Sequence, residues 1–237
     1  MYDIVIPLGP CDIDFFKTNI KVTLSNLKNY NRVFIISHDS SINSENCITI
    51  DETIFPFKKN DVSKITGSKR SGWYLQQLIK LYCASVLNLE NFLIVDADTV
   101  ILKSIDFFEE NKVCFNTGTE YHIPYFQHMK YILPELERQL NVSGICHLMP
   151  MKRIIVDDLF NKIESLHACK VWEVMLRYID PTHYSASGMS EYELLFNFSV
   201  KYHSNIIKIR PLNWKNLNSI EYITNNLDYA SIHWYLR

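Results

Sequence analysis

No apolar run in this 237-residue chain approaches the roughly 18–20 residues that a membrane-crossing helix needs. The chain begins Met1-Tyr-Asp-Ile and enters an apolar run at once, without the basic and apolar regions of a secretory leader. A surplus of one charge is also missing. The 24 Lys and Arg face 26 Asp and Glu, a net charge of -2, so the basic footprint of a nucleic-acid binder is absent. The six cysteines (11, 47, 83, 114, 146 and 169) include no Cys-x-x-Cys pair. That argues against a zinc site or a disulfide framework and for a reducing compartment. A cytoplasmic location is therefore expected, in which the sequons at Asn141 and Asn197 stay idle. Internal repeats and low-complexity segments are lacking as well.

A core is well provided for. Hydrophobic residues make up 47% and aromatics 13% of the chain, enough for one large α/β domain or two small ones. The organising stretch is Phe92-Leu-Ile-Val-Asp96-Ala-Asp98-Thr-Val-Ile-Leu102. Four apolar residues run into Asp96, as in a short strand buried on both faces. Residues two apart in a strand point the same way, so Asp96 and Asp98 can converge on one ligand. Carboxylates that close repel unless a cation or a proton relieves them. Their hard oxygens suit Mg²⁺ or Mn²⁺. The plainer alternative is a surface turn with two acidic residues.

Upstream, residues 3–9 read as a buried strand ending at Pro7, Gly9 and Pro10, where open α/β sheets place ligands. A helix over Asp14–Tyr30 and a strand over Arg32–His38 complete a βαβ unit, with a third strand at Cys47–Asp51. Residues 56–70 read as a basic loop, with Lys58, Lys59, Lys64, Lys69 and Arg70. The helix 71–87 buries Leu75, Leu78, Ile79, Tyr82 and Val86 and leaves Gln76, Gln77 and Lys80 largely off that face. Lys80 is then either solvated or within reach of a phosphate.

Downstream, Val113–Asn116 reads as a strand, 124–140 as a helix and Ile145–Met149 as a short strand. Helices follow over 151–166 and 170–178. Ser190 and Glu193 form a capping-box pattern, with Glu191 in the first helical turn, where the dipole favours its charge. A strand follows at Ile206–Arg210, and His233 falls in a terminal strand over 230–237.

Taken in order, these features resemble a GT-A-fold glycosyltransferase. The resemblance rests on Ile4-Val-Ile-Pro-Leu-Gly9, the helix with Arg70, Trp73, Gln76 and Gln77, and Asp96-Ala-Asp98. Glu120-Tyr-His122, Ser190-Glu-Tyr-Glu193 and Ser231-Ile-His-Trp234 complete it. The pattern is most similar to a little-characterised group of bacterial and viral sugar-transferase-like proteins, and it covers most of the chain. It implies a single GT-A (Rossmann-like) α/β domain with a mixed, mostly parallel central sheet flanked by helices. Residues 1–102 would be the nucleotide-sugar and metal half, and 103–237 the acceptor half. The donor would be a nucleoside-diphosphate sugar and the acceptor a glycan or glycoconjugate. By the same resemblance Pro7, Gly9 and Asp39 line the nucleoside pocket, and Arg70 and Gln77 border the sugar-phosphate. Asp96, Asp98 and His233 hold Mn²⁺ or Mg²⁺, and Glu191 stands where inverting relatives carry a helix-initial acid.

Two other readings stay open at the level of sequence. Asp96-Ala-Asp98-Thr99-Val100 also fits the nucleophile motif of a haloacid-dehalogenase-type phosphatase, with Asp157-Asp158 as its second acidic pair. The third reading is a carbohydrate-binding relative without turnover.

Overall fold

The structure is a computed structural model describing residues 1–237. It contains β1 (Tyr2–Pro7), α1 (Ile13–Asn26), β2 (Tyr30–Ser37), β3 (Ile48–Asp51), α2 (Lys59–Thr66) and α3 (Ser71–Val86). Then come β4 (Asn91–Val95), β5 (Thr99–Ile101), β6 (Phe108–Glu109), β7 (Lys112–Phe115), α4 (Ile123–Ile132) and β8 (Leu148–Lys152). The chain ends with α5 (Arg153–His167), α6 (Val171–Arg177), α7 (Glu191–Tyr202), β9 (Ile207–Ile209), β10 (Trp214–Asn216) and β11 (Tyr229–Ser231).

The central sheet runs β3-β2-β1-β4-β8. Its first four strands are parallel and β8 is antiparallel to β4. This is the mixed, mostly parallel α/β sheet expected from the sequence. Its strands are apolar on both faces because both faces are covered. Val5, Phe34, Phe92 and Ile94 pack in the core shared with α3, α5, α6 and α7. Ile4, Ile6, Val33, Ile35, Leu93 and Val95 point the other way, into a core shared with α1 through Phe16 and Ile20. No helix is long and apolar enough to cross a membrane.

The order 3-2-1-4 makes β1 the turning point of the topology. From β1 the chain builds outward to β3 and returns to add β4 on the other side. Ligand crevices in open sheets form at the carboxyl ends of the strands flanking such a point. Those ends are Pro7 and Asp96, and the parallel register of Val5 with Ile94 brings them side by side.

Several local expectations need correcting. Residues 59–66 are helical, not loop: the Asp61 carboxylate accepts the Lys58 N–H (3.0 Å), Val62 and Thr66 are buried, and Gly67 ends the helix at φ 73°. Helix α4 stops at Ile132 instead of 140, because Leu133 precedes Pro134 and is forced extended. Strand β8 begins at Leu148, three residues later than expected, and tolerates Pro150 because it is the edge of the sheet. The terminal strand is only Tyr229–Ser231, and the chain then turns, with the Leu236 N–H on the His233 carbonyl. Asn197, one of the two sequon asparagines, is fully buried and hydrogen-bonded to Glu193.

Candidate active site

A cleft of about 780 Å³ opens at the carboxyl ends of β1 and β4. Pro7, Gly9, Arg70, Gln77, Lys80, Asp96, Asp98, Glu191 and His233 all line it. Asp39, the remaining residue implied for the site, does not. Its carboxylate folds onto its own loop, accepting from the backbone N–H and hydroxyl of Ser41 at 3.0 and 2.6 Å. His38 lines the cleft in its place. Gly9 adopts φ -80°, and a Cβ there would meet nothing within 4 Å, so no left-handed backbone explains this glycine.

Asp96 and Asp98 both line the cleft, though not through strand alternation. The strand ends at Val95, and residues 96–99 form a turn closed by the Thr99 N–H on the Asp96 carbonyl (2.9 Å). The turn is anchored from both sides. The Asp96 N–H donates to the His147 carbonyl, and the Asp98 carbonyl accepts the Ile232 N–H, each at 2.9 Å. The second bond continues the antiparallel pairing of β5 with β11, in which Thr99 faces Ser231 and their hydroxyls lie 2.6 Å apart. This pairing carries His233 to Asp98: its Nδ1 sits 2.7 Å from the Asp98 Oδ2. Ile232 is buried but Trp234 is exposed, because His233 and Trp234 lie beyond the strand, where alternation no longer holds. Burial acts to lower the His233 pKa, while the hydrogen bond and charge of Asp98 outweigh it and raise it.

The two aspartates differ in what holds them. Both Asp96 oxygens are engaged. Oδ1 pairs with the Lys80 ammonium at 2.6 Å and accepts the Tyr192 hydroxyl at 3.0 Å, and Oδ2 lies 3.3 Å from His147 Nδ1. Burial pushes this carboxyl upward, but Lys80 and His147 hold it well below the usual carboxylate range. Asp98 has only His233 on Oδ2. Its Oδ1 is buried with no partner at all.

Lys80 is the largest surprise among the expected residues. It is not solvated: it is 4% exposed and also pairs with Glu191 Oε1 at 2.8 Å. Burial alone would lower its pKa, and the two carboxylates raise it instead. Gln77, one turn earlier, is buried as well and accepts the Glu191 N–H at 3.1 Å. That bond fixes the amide orientation and leaves the Gln77 Nε2 buried without a partner. The expectation that Gln77 and Lys80 lie off the buried face fails because α3 packs against the sheet on one side and against α2, α5 and α7 elsewhere.

Around this centre, the Arg70 guanidinium stacks 4.2 Å from the Trp73 ring, and Gln76 donates to the Pro7 carbonyl (3.3 Å). Ser190 caps α7 by accepting the Glu193 N–H, as the sequence pattern indicates. The reciprocal half of the box is missing. The Glu193 carboxylate instead accepts from Ser143 (2.5 Å) and Asn197 (3.0 Å), tying α7 to the segment before β8.

Sequence reasoning missed Tyr192 and His147. Tyr192 follows Glu191 in a helix that reads as core. His147 was assigned to a strand, but it sits at φ 60°, a conformation rare for a residue other than glycine. That turn aims its ring at Asp96 and stacks it edge-on against His233 and Trp214.

A divalent cation fits part of this arrangement. The unpartnered Asp98 Oδ1 needs a positive or donating group, and Asp98 Oδ2 and His233 Nδ1, 2.7 Å apart, are close enough to serve as adjacent ligands of one cation. Carboxylate oxygen with imidazole nitrogen is a donor set that suits Mn²⁺. Asp96 lines the same end of the cleft with its oxygens already taken, and no three His, Cys, Asp or Glu side chains form a ready metal cage.

The phosphatase-like second acidic pair is not here. Asp157 and Asp158 lie on α5, bound to Arg153 (3.2 Å) and His203 (3.0 Å), and neither lines the cleft.

Among solved structures, the chain is similar to mouse xyloside xylosyltransferase 1 in its apo form. The two share 10% identity over 97% of each chain, with a TM-score of 0.48. A likeness at that level carries no information about activity. No curated protein matches the sequence. Residues 20–211 match the model of a family of unknown function, DUF6492, and on that match, which spans most of its length, the chain belongs to that family.

Proposed function

We propose that the protein is a metal-dependent glycosyltransferase of the GT-A type, moving a sugar from a nucleoside-diphosphate sugar to a hydroxyl of a glycan or glycoconjugate. The observation that carries this reading is the unpartnered, buried Asp98 Oδ1 beside His233, in the turn after β4 and on the same cleft as Pro7. The parallel order 3-2-1-4 with an antiparallel fifth strand accords with the GT-A arrangement that the motifs imply.

In this reading Asp98 and His233 hold Mn²⁺ or Mg²⁺. The cation supplies Lewis-acid stabilisation of the charge that develops on the departing diphosphate. The nucleoside lies along the rim formed by Pro7, Gly9 and His38. Arg70, at the start of α3, adds fixed positive charge near the diphosphate, where preorganised charge lowers the barrier without reorganisation. Gln77 presents its free amide N–H to a sugar or phosphate oxygen. Residues 1–102 thus build most of the donor half. Residues 103–237 build the acceptor half, and their last turn crosses back to bring His233 to the cation.

The experiment is a thermal-shift panel of nucleoside diphosphates and their sugars, with Mn²⁺, with Mg²⁺ and with chelator, followed by an assay for nucleoside-diphosphate release. Stabilisation by at least one nucleotide-sugar only when the cation is present supports the reading. A flat panel in every condition refutes it.

A further inference from the structure

The buried group formed by Lys80, Asp96 and Glu191 reaches beyond what the motifs imply. A lysine ammonium lies between two carboxylates, 2.6 Å from one and 2.8 Å from the other, and 4.3 Å from the centre of the Tyr192 ring. The contacts join three separate segments. Lys80 and Gln77 come from α3, Asp96 from the turn after β4, and Glu191 and Tyr192 from the first turn of α7. Every polar tie in the group runs between these segments: Gln77 Oε1 to the Glu191 N–H, and the Tyr192 hydroxyl to Asp96 Oδ1. A buried ammonium is stable only when paired in this way. The two ion pairs engage two of the three ammonium N–H donors and hold the side chain between α7 and the turn after β4.

The comparison with Asp98 shows the consequence. Two carboxylates sit at either end of one short turn and line one cleft. Asp96 has Lys80 and Tyr192 on one oxygen and His147 on the other. Asp98 has one buried oxygen with nothing on it. A cation entering the cleft meets a free ligand at Asp98 and an occupied one at Asp96.

We propose that Lys80 is a positioning residue that holds the Asp96 carboxylate back on α3, so that a divalent cation takes its side-chain ligands from Asp98 and His233, with Glu191 serving as the counter-ion of Lys80. This rests on the cation-binding reading given above. Asp96 then shapes the site from behind, by orienting the turn and His147. Glu191 is a clamp on Lys80 and not a free proton acceptor.

The test is a double-mutant cycle on Mn²⁺ affinity, measured calorimetrically on the chain without nucleotide. In the wild-type background, Asp98→Asn weakens Mn²⁺ binding at least tenfold, while Asp96→Asn changes it less than threefold. In a Lys80→Met background Asp96 is released to the cation, and Asp96→Asn now weakens binding at least tenfold. The loss of one positive charge at position 80 acts in both arms and cancels in the cycle. A purely structural role for Lys80 would lower the melting temperature and leave the cycle flat. If Lys80→Met alone fails to fold, the same cycle is run on Lys80→Met with Glu191→Gln, which removes one buried carboxylate together with the ammonium.

Equal weakening by Asp96→Asn and Asp98→Asn in the wild-type background overturns the proposal and leaves the cation site standing. An Asp96→Asn effect that is the same with and without Lys80 does so too. Absence of Mn²⁺ binding in the wild-type chain, with no effect of Asp98→Asn, overturns both.

Discussion

His128 gives the fold a pH dependence that can be worked out from its surroundings. The side chain is 3% exposed, between α4 and α6, and its Nε2 lies 2.8 Å from the Met175 carbonyl. No acidic group pairs with it. Burial lowers its pKa from 6.5 to about 4, and the hydrogen bond to Met175 opposes this only in part. The unfolded chain therefore takes up a proton near pH 6.5 while the folded chain does not until near pH 4. Stability from this residue is complete above the unfolded value and is lost as the pH falls through the window between the two. Between pH 7.5 and pH 5.0 the linkage amounts to about 2 kcal/mol, and it reaches about 3 kcal/mol below pH 4. Urea unfolding at the two pH values measures it. His233, whose pKa is raised by Asp98, contributes with the opposite sign, so the decisive comparison is with His128→Gln, which keeps a donor for Met175 and does not titrate. The variant should lose less stability on acidification than the wild type, by about 2 kcal/mol. Identical losses in both would refute the assignment of the pH dependence to this buried imidazole.

Two further substitutions probe the frame of the cleft. A Cβ at Gly144 would lie 2.4 Å from Phe196 Cβ and 2.7 Å from the Tyr192 carbonyl, so Gly144→Ala must push α7 away from the segment before β8. It should cost about 1–3 kcal/mol in chemical unfolding, and a neutral result would mean that α7 is not packed as described. His233→Ala should weaken Mn²⁺-supported nucleotide binding at least tenfold with little change in the melting of the ligand-free chain. A destabilised chain with unaltered affinity would make His233 a packing residue instead.

The sheet was legible because its strands are short apolar runs with turn residues behind them, as in Asp3–Gly9 and Phe92–Val95. Residues 59–66 read as loop because two lysines, Asn60 and Asp61 leave only a short apolar face, yet they form a helix. At 133–140 the apolar spacing continues past the helix, but Leu133, which precedes Pro134, is held extended and ends it. For the site, the motifs of the resemblance pointed to Asp96, Asp98, Glu191 and His233, and all four line the cleft. The motifs could not supply their partners. Lys80 and Gln77 look like exposed helix polars until α2, α5 and α7 close over α3, and two of those helices, α5 and α7, come from beyond residue 150. His147 owes its role to a single left-handed residue, which no periodicity marks. Strand alternation does not describe Asp96 and Asp98: the strand ends at Val95, and a turn sets both carboxylates along the cleft.

The central claim is that the cleft binds a nucleoside diphosphate through a cation held by Asp98. The most direct measurement is calorimetric titration of nucleoside diphosphates into the wild-type chain and into Asp98→Asn, each with Mn²⁺ and with chelator. The account predicts binding that requires Mn²⁺ and that weakens at least tenfold in Asp98→Asn, about 1.4 kcal/mol. Binding of equal strength in chelator, or unchanged affinity in Asp98→Asn, would contradict it.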